Sequence, residues 1–239
     1  MAVDVMGQQR IDRLLSNLGF GSRNEIRKAA DAGRIILNGS PVRKTDVKAD
    51  PEKDELCFDG RPVRWSEYEY WVLYKPRGIL SATEDRRHET VIDYMGLKRK
   101  GMAPCGRLDL DTEGLLLVTD DGALVHRLLS PKKLVDKVYE AEYEGVLPAD
   151  AAERAAAGIV LEDGTKCMPA DLDASTFPAR ITVREGKYHE VRRIFAALGC
   201  TVTRLTRLSM GPLSLSSLGL EKGEYRRLTD DEAAALKAF

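Results

Sequence analysis

The chain lacks any apolar run approaching the ~20 residues that a membrane span requires, and its first residues carry no leader pattern. Neither membrane insertion nor secretion is expected, and the protein is placed in the cytoplasm. Its four cysteines, Cys57, Cys105, Cys167 and Cys200, are far apart and form no Cys-x-x-Cys pair. Structural zinc therefore has no support, and reduced thiols are expected. His88, His126 and His189 show no metal-ligand spacing, so surface or helix roles are expected for all three. A Ser-His-Asp hydrolase would need a Gly-x-Ser-x-Gly elbow, and none is present. Internal repeats, low-complexity segments, a phosphate-binding glycine loop and a strand–helix–strand rhythm are also missing. The chain thus points away from a parallel doubly wound fold and towards an α+β fold with a mixed, mainly antiparallel sheet.

What the chain does have is a division of charge. Its net charge of −1 conceals two basic segments. Arg10 to Lys48 holds nine Lys/Arg against four acids, and Arg180 to Arg207 holds seven against two. Between them, Glu140 to Asp173 carries nine acids against two bases. Local binding of a polyanion is compatible with such a pattern even at a near-neutral total. So is an ordinary solvated surface. A length of 239 residues suits one large domain and one small one.

The N-terminal part reads as a small helical unit. Ile11, Leu14, Leu15 and Leu18 fall at helical spacing, and Gly19 and Gly21 end that helix. Ser22 and Glu25 form a capping box for a second helix, which buries Ile26, Ala29 and Ala30 and stops at Gly33. Arg23, Arg27 and Lys28 project from its other side. Arg34–Leu37 reads as a strand, Asn38-Gly39 as a hairpin turn and Pro41-Val42 as the return. Asp59–Pro62 reads as a turn opening a linker near residues 59–67.

The larger part opens with an aromatic, β-branched strand over Tyr68–Lys75 and a tight basic turn at Lys75-Pro76-Arg77-Gly78. Residues 138–146 alternate, with Tyr139, Ala141 and Tyr143 on one face. A short helix is expected over Pro148–Ala157, closed by Gly158, and a strand over Arg180–Arg184. His189–Leu198 has helical spacing with Val191, Ile194, Phe195 and Leu198 on one face. Thr201–Leu205 returns to strand, and Thr229 and Glu232 cap a final helix.

Chemistry concentrates in Gly106-Arg107-Leu108-Asp109-Leu110-Asp111-Thr112-Glu113-Gly114, followed by the strand-like run Leu115–Val118 and by Asp120-Asp121-Gly122. Three readings compete. The alternating acids imitate a calcium loop, but the strand-like run replaces half of it and no bidentate Glu closes it. Asp111, Asp120 and Asp121 suit turn positions at strand ends, where an Asp side chain bonds nearby backbone. Asp109 suits a catalytic carboxylate, ionised at neutral pH and able to attack carbon. Such an acid needs a cation. At ~3.6 residues per turn, Arg192 falls at the edge of the apolar face of its helix and can reach a buried acid, while Arg193 faces solvent or RNA.

Gly-Arg-Leu-Asp followed by Thr-Glu-Gly-Leu resembles the signature of pseudouridine synthases of the RsuA type. The Lys-Pro-x-Gly step at Lys75, the Lys137-Val138-Tyr139 segment and Glu185–Arg193 resemble further motifs of that family, in its order. Residues 8–60 resemble the alpha-L RNA-binding module. The resemblance implies a small N-terminal alpha-L domain over residues 1–62 and a pseudouridine synthase domain over residues 68–239. It implies isomerisation of uridine to pseudouridine within ribosomal RNA, with no cofactor and no metal. Asp109 takes the place of the nucleophile, Tyr139 of the tyrosine that stacks on the target base, and Arg192 of the cation paired with the nucleophile. Arg107 matches the arginine that enters the nucleic-acid stack, and Leu205 an apolar residue against the uracil. The basic residues Arg23, Arg27, Lys28 and Arg193 are expected to meet RNA.

Gly186–His189 and Phe195–Gly199 look more like the small-subunit branch, whereas Arg192 leans towards the large-subunit relatives. The expected substrate is 16S rRNA, free or in an assembly particle, acted on by a monomer. A 23S rRNA enzyme and a non-catalytic RNA-binding assembly factor are the alternatives.

Overall fold

The structure, a computed structural model, describes residues 7–50, 53–64 and 66–239. Parts of the expected first domain (1–6 and 51–52) and residue 65 of the expected linker lie outside the described residues. The chain forms two compact units, one of residues 1–69 and 97–102, the other of residues 70–96 and 103–239. The return of 97–102 to the first unit was not anticipated from sequence. Within that unit Lys100 N–H donates to the Asn17 carbonyl at 2.9 Å, and its ammonium donates to Ser16 Oγ at 2.7 Å.

In the first unit α1 (Ile11–Asn17) and α2 (Arg23–Asp31) pack together. Ser22 caps α2, with Glu25 answering in the reciprocal bond, so two N-terminal donors are satisfied at once. Ile11, Leu15, Ile26, Ala30 and Ile35 are fully buried and form the core. Truncating one of the larger of these to alanine would cost about 2–5 kcal/mol. A two-stranded ribbon joins β1 (Gln9–Arg10) to β4 (Lys48–Ala49). A four-stranded sheet runs β3 (Ser40–Pro41), β2 (Ile35–Leu37), β5 (Leu56–Phe58), β6 (Arg61–Pro62).

Asn38 and Gly39 both have positive φ, as a two-residue hairpin turn of the primed kind requires. Asp59 and Gly60 do the same. Residues 59–62 are therefore not the start of a linker but a second hairpin, pairing Phe58 with Arg61. Asp-Gly is itself a primed-turn pair, and the following Pro62 is tolerated because β6 is an edge strand.

The second unit is built on a nine-stranded sheet. Its main path runs β11 (Asp171–Asp173), β12 (Ala179–Val183), β10 (Lys137–Glu144), β13 (Thr201–Met210), β9 (Glu113–Thr119), β7 (Tyr70–Lys75), β15 (Tyr225–Arg227). The short strands β8 (Ala103–Pro104) and β14 (Leu213–Ser214) pair with β9 and β13. Only the β9–β13 pairing is parallel, so the sheet is mixed and mainly antiparallel, and the fold is α+β. Every residue of β9 is buried, which explains its unbroken apolar run. Gly114 has a φ of +117°, and a Cβ there would lie 2.3 Å from the Arg207 carbonyl oxygen. Only glycine permits this parallel pair to approach so closely.

Helices α3 (Val91–Tyr94), α4 (Gly122–Leu129), α5 (Ala151–Ala157), α6 (Glu190–Ala197), α7 (Leu215–Leu218) and α8 (Asp230–Ala238) complete the unit. Sequence reading missed α4. Asp121 caps it through Leu124 N–H and also accepts the Tyr70 hydroxyl at 2.8 Å, the structural role expected of that acid. Thr229 and Glu232 form the capping box of α8. Strand β13 runs five residues beyond the expected Leu205. No helix among the described residues is long and apolar enough to cross a membrane.

Candidate active site

Asp109 sits in the loop between β8 and β9, and that loop is fixed chiefly through its backbone. Ser81 Oγ donates to the Leu108 carbonyl at 2.9 Å and accepts the Leu108 N–H at 3.2 Å. Gly78 N–H donates to the Leu110 carbonyl at 2.8 Å. Beneath the loop lies Lys75, whose side chain is completely buried. Its ammonium donates to the carbonyls of Pro76 (3.1 Å), Asp109 (3.2 Å) and Thr112 (3.0 Å), with Leu110 at 3.5 Å. Burial pulls the Lys75 pKa down to about 8, while Asp109, Asp111 and Glu113 oppose that fall. The sequence marked Lys75 as part of a turn and not as the peg of the loop. Its carbonyl partners are backbone atoms, which leave no trace in residue type.

The loop frames a small open cavity of about 80 Å³ lined by Arg107, Leu108, Asp109, Tyr139, Leu205 and the start of α6. Tyr139 projects from the buried face of β10, directly across from Ile181. Leu205 is 4% exposed on the neighbouring strand. The Asp109 side chain remains 31% exposed, open enough to meet a ligand. Arg107 is exposed at the rim. The structure thus brings Asp109, Tyr139, Arg107 and Leu205 together around one opening.

Arg192 is present, but its geometry differs from the simple pair. Its guanidinium donates to Asp111 at 2.8 Å and to the Val202 carbonyl at 3.1 Å, and lies 3.9 Å from Asp109. Asp111, read as a turn-former, is therefore the acid that takes the strong bond. This leaves the Asp109 carboxylate in the field of Arg192 without being clamped by it. His189, for which a surface or helix role was expected, places Nε2 3.4 Å from Asp109 Oδ1. It stands just before α6 with φ +50° and gives no side-chain cap to the helix. A histidine in that backbone state is uncommon, and no pattern in the sequence announces it.

Behind the opening lie charged groups that the sequence reading did not single out. Glu190 is buried beside Glu185, and burial together with that second carboxyl raises its pKa to about 8. Burial also pushes Glu185 upward, but the ammonium of Lys187 and the Met168 N–H (2.6 Å) prevail, and its pKa is lowered. Glu185, Glu190 and Cys167 bring one donor atom each within 4.8 Å of one another, a group that could hold a metal ion. Lys187 and the shared proton already answer the two carboxyls there. Arg207 is buried against the Leu115 carbonyl at 2.8 Å, and its Nη2 has no hydrogen-bond partner. Burial and the nearby Arg207 lower the Lys137 pKa.

The second basic segment is not an open polyanion face. Arg180 lies 3.9 Å from Glu140, Arg184 pairs with Asp136 and Asp171, and Arg193 with Asp163 at 2.5 Å. Arg204 meets Glu113 and Glu142. Lys187 meets Glu185 and Arg192 meets Asp111, so six of the seven cations face an acid, and Arg207 is buried against a carbonyl. The acidic middle of the chain neutralises much of the segment, a pairing invisible until the strands are side by side. Arg193 is paired with Asp163 across a partly exposed surface. In the first unit, Arg23, Arg27 and Lys28 are exposed on α2.

Comparison with known proteins agrees with this geometry. Residues 69–197 match the RNA pseudouridylate synthase family, and residues 9–56 match the S4 domain. An uncharacterized RNA pseudouridine synthase, YtzG, of Bacillus subtilis (strain 168) is 41% identical, covering 93% of this chain and 96% of that protein. Ribosomal small subunit pseudouridine synthase A of Escherichia coli (strain K12) is 36% identical over 95% of this chain and 99% of its own. Ribosomal large subunit pseudouridine synthase B of Bacillus subtilis (strain 168) is 34% identical, with coverage of 97% and 96%. A crystal structure of a pseudouridylate synthase superposes with a TM-score of 0.64 at 33% identity, over 95% of this chain and 99% of that one. With the loop of Asp109, the cavity and these matches in agreement, the chain belongs to the RNA pseudouridylate synthase family, as an RsuA-like member with an N-terminal S4 domain.

Proposed function

We propose that this protein isomerises a uridine of 16S ribosomal RNA to pseudouridine, acting in the cytoplasm as a monomer, with Asp109 as its nucleophile. The observation that carries this reading is the placement of Asp109. Its backbone is pegged by Lys75, and its carboxylate is partly open to a cavity floored by Tyr139 and Leu205. A carboxylate so fixed can bond to the sugar's anomeric carbon or to uracil carbon 6 without reorganising.

Reaction then breaks the bond between the sugar and uracil N1, turns the base, joins the sugar to carbon 5 and releases the bond to Asp109; carbon 5 gives its proton to solvent and N1 takes one up, so that the net change is an isomerisation. The uridine first quits its stack, at a cost of a few kcal/mol. Stacking on Tyr139 offsets about 1–3 kcal/mol of it. Leu205 meets the uracil, and Arg107 fills the space that the base vacates. Arg192, held by Asp111 and Val202, keeps positive potential beside the attacking carboxylate. Arg23, Arg27 and Lys28 supply phosphate contacts that are independent of sequence. No cofactor or metal takes part in this scheme.

The segments around Tyr188 and Phe195 support the small-subunit substrate. Arg192 and the 34% identical large-subunit relative favour a second reading, 23S rRNA. Incubating the protein with unmodified 16S and 23S transcripts, each with and without ribosomal proteins, and mapping pseudouridine at nucleotide resolution separates them. One new site in 16S rRNA is the expected result, and one in 23S rRNA selects the second reading. No site in any sample would leave an RNA-binding assembly factor. Asp109→Asn should keep the fold and RNA affinity and lose turnover, whereas retained turnover would remove Asp109 as nucleophile.

A further inference from the structure

Tyr188 is 71% exposed and lies flat on the ring of His189, with centroids 3.8 Å apart and planes 20° from parallel. The inner ring of this pair lines the cavity, and its Nε2 is 3.4 Å from Asp109 Oδ1. The outer ring stands outside the cavity lining. So exposed a tyrosine adds little to the core, so packing does not account for the arrangement. Helix capping does not account for it either. His189 occupies the N-cap position of α6, where Ser, Thr, Asp or Asn would bond the first turn, yet its side chain makes no such bond. The backbone at His189 adopts φ +50° and ψ +34°, which non-glycine residues rarely adopt, and strain of this kind gathers at ligand sites.

We propose that the Tyr188–His189 stack is a nucleobase subsite, which receives the RNA base adjacent to the uridine extruded towards Asp109. The proposal rests on the uridine-isomerase reading for the identity of the central nucleotide, but not for the stacking itself. A π-face accepts any base, so the subsite contributes affinity and position more than sequence choice. His189 ties the platform to the nucleophile. A base seated on Tyr188 braces the His189 ring from outside, and the ring in turn faces the carboxylate. Tyr188 and His189 are therefore positioning residues, because neither touches the reacting carbon atoms.

The test uses the full chain and a uridine-rich single-stranded 12-mer with 2-aminopurine beside a central uridine. Stacking quenches this fluorophore. The wild-type protein should quench it, Tyr188→Ala should lose most of the quench, and Tyr188→Phe, which keeps the ring, should restore it. His189→Asn, which tolerates the same backbone state, should weaken it. Asp109→Asn should quench like the wild type, since the shelf does not depend on the nucleophile. On rRNA, Tyr188→Ala should raise KM about tenfold while kcat stays within about twofold. Equal quench and equal KM in Tyr188→Ala and wild type would overturn the subsite, as would a loss that Tyr188→Phe fails to restore. If the wild type forms no pseudouridine but quenches in a Tyr188-dependent way, the subsite stands and the proposed reaction falls.

Discussion

The ammonium of Lys75 lies 3.2 Å from the carbonyl oxygen of Asp109 and donates a hydrogen bond to it. The same nitrogen also reaches Thr112, three residues further along the loop. One buried side chain thus sets the path of the loop that carries the proposed nucleophile, by gripping its backbone and leaving its carboxylate free.

Lys75→Met keeps much of the volume and removes the donor. The Asp109 and Leu110 carbonyls keep the Thr112 and Gly78 N–H donors, but those of Pro76 and Thr112 lose the ammonium, and stability should fall by about 3 kcal/mol. The loop should drift, and a shift of about 1 Å in a reacting group lowers kcat about 100-fold. Denaturant melts and single-turnover assays measure the two effects. An unchanged kcat would mean that Ser81 and Gly78 suffice to hold the loop.

Asp111 takes the strongest bond that Arg192 makes. In Asp111→Ala the guanidinium is released towards Asp109, now 3.9 Å away, and should close on it. A clamped carboxylate is a poorer nucleophile, so kcat should drop about tenfold while RNA affinity is kept. A double-mutant cycle with Arg192→Gln measures the coupling, and strictly additive effects would show that the two residues act independently.

Glu190 binds its proton more tightly in the folded protein than in the unfolded chain, with a pKa raised to about 8 by burial and Glu185. Its contribution to stability is complete below the ordinary carboxylate range and is lost as pH rises through about 8. The folded state retains the proton over that window, so stability should decline with increasing pH. Glu190→Gln should flatten the decline. Urea midpoints between pH 5 and 9 for both proteins check this, and parallel curves would place the pH dependence elsewhere.

Arg23, Arg27 and Lys28 are exposed on α2, in contrast to the engaged cations of residues 180–207. Changing all three to Ala should leave the melting temperature nearly unaltered and weaken rRNA binding. Each lost phosphate contact removes about 0.7–0.9 from the slope of log K against log salt, so the slope should shrink by about 2. An unaltered slope would remove α2 from the RNA contact.

The sequence carried some of these features and hid others, for physical reasons. Ser22 with Glu25, and Thr229 with Glu232, are local bonds between residues three apart, so residue type alone reveals them. The Leu115–Val118 run, bounded by Gly114, announced a strand, and the structure buries it on both faces. Asp109, Tyr139 and Leu205 were legible through motif resemblance, and one cavity now joins them. Lys75 and His189 were not, because one acts on backbone atoms and the other through an unusual φ. The pairing of Arg192 with Asp111, 81 residues apart, depends on strand order that no local pattern encodes.

The hexapeptide 97–102 has a consequence for how the protein can be taken apart. It belongs to the first compact unit although the chain reaches it only after beginning the second. Gly19 has no room for a Cβ, because the Lys98 carbonyl oxygen would lie 2.5 Å from it. A module joined by fusion alone comes away with a single cut, but this one is stitched in by three crossings of the chain. Trimming after Glu69 discards the helices and leaves their hexapeptide behind in the catalytic fragment, stripped of the partners it packs on. Genetic dissection of RNA docking is therefore better done residue by residue on the intact chain, since a truncated protein carries a wound as well as a deletion.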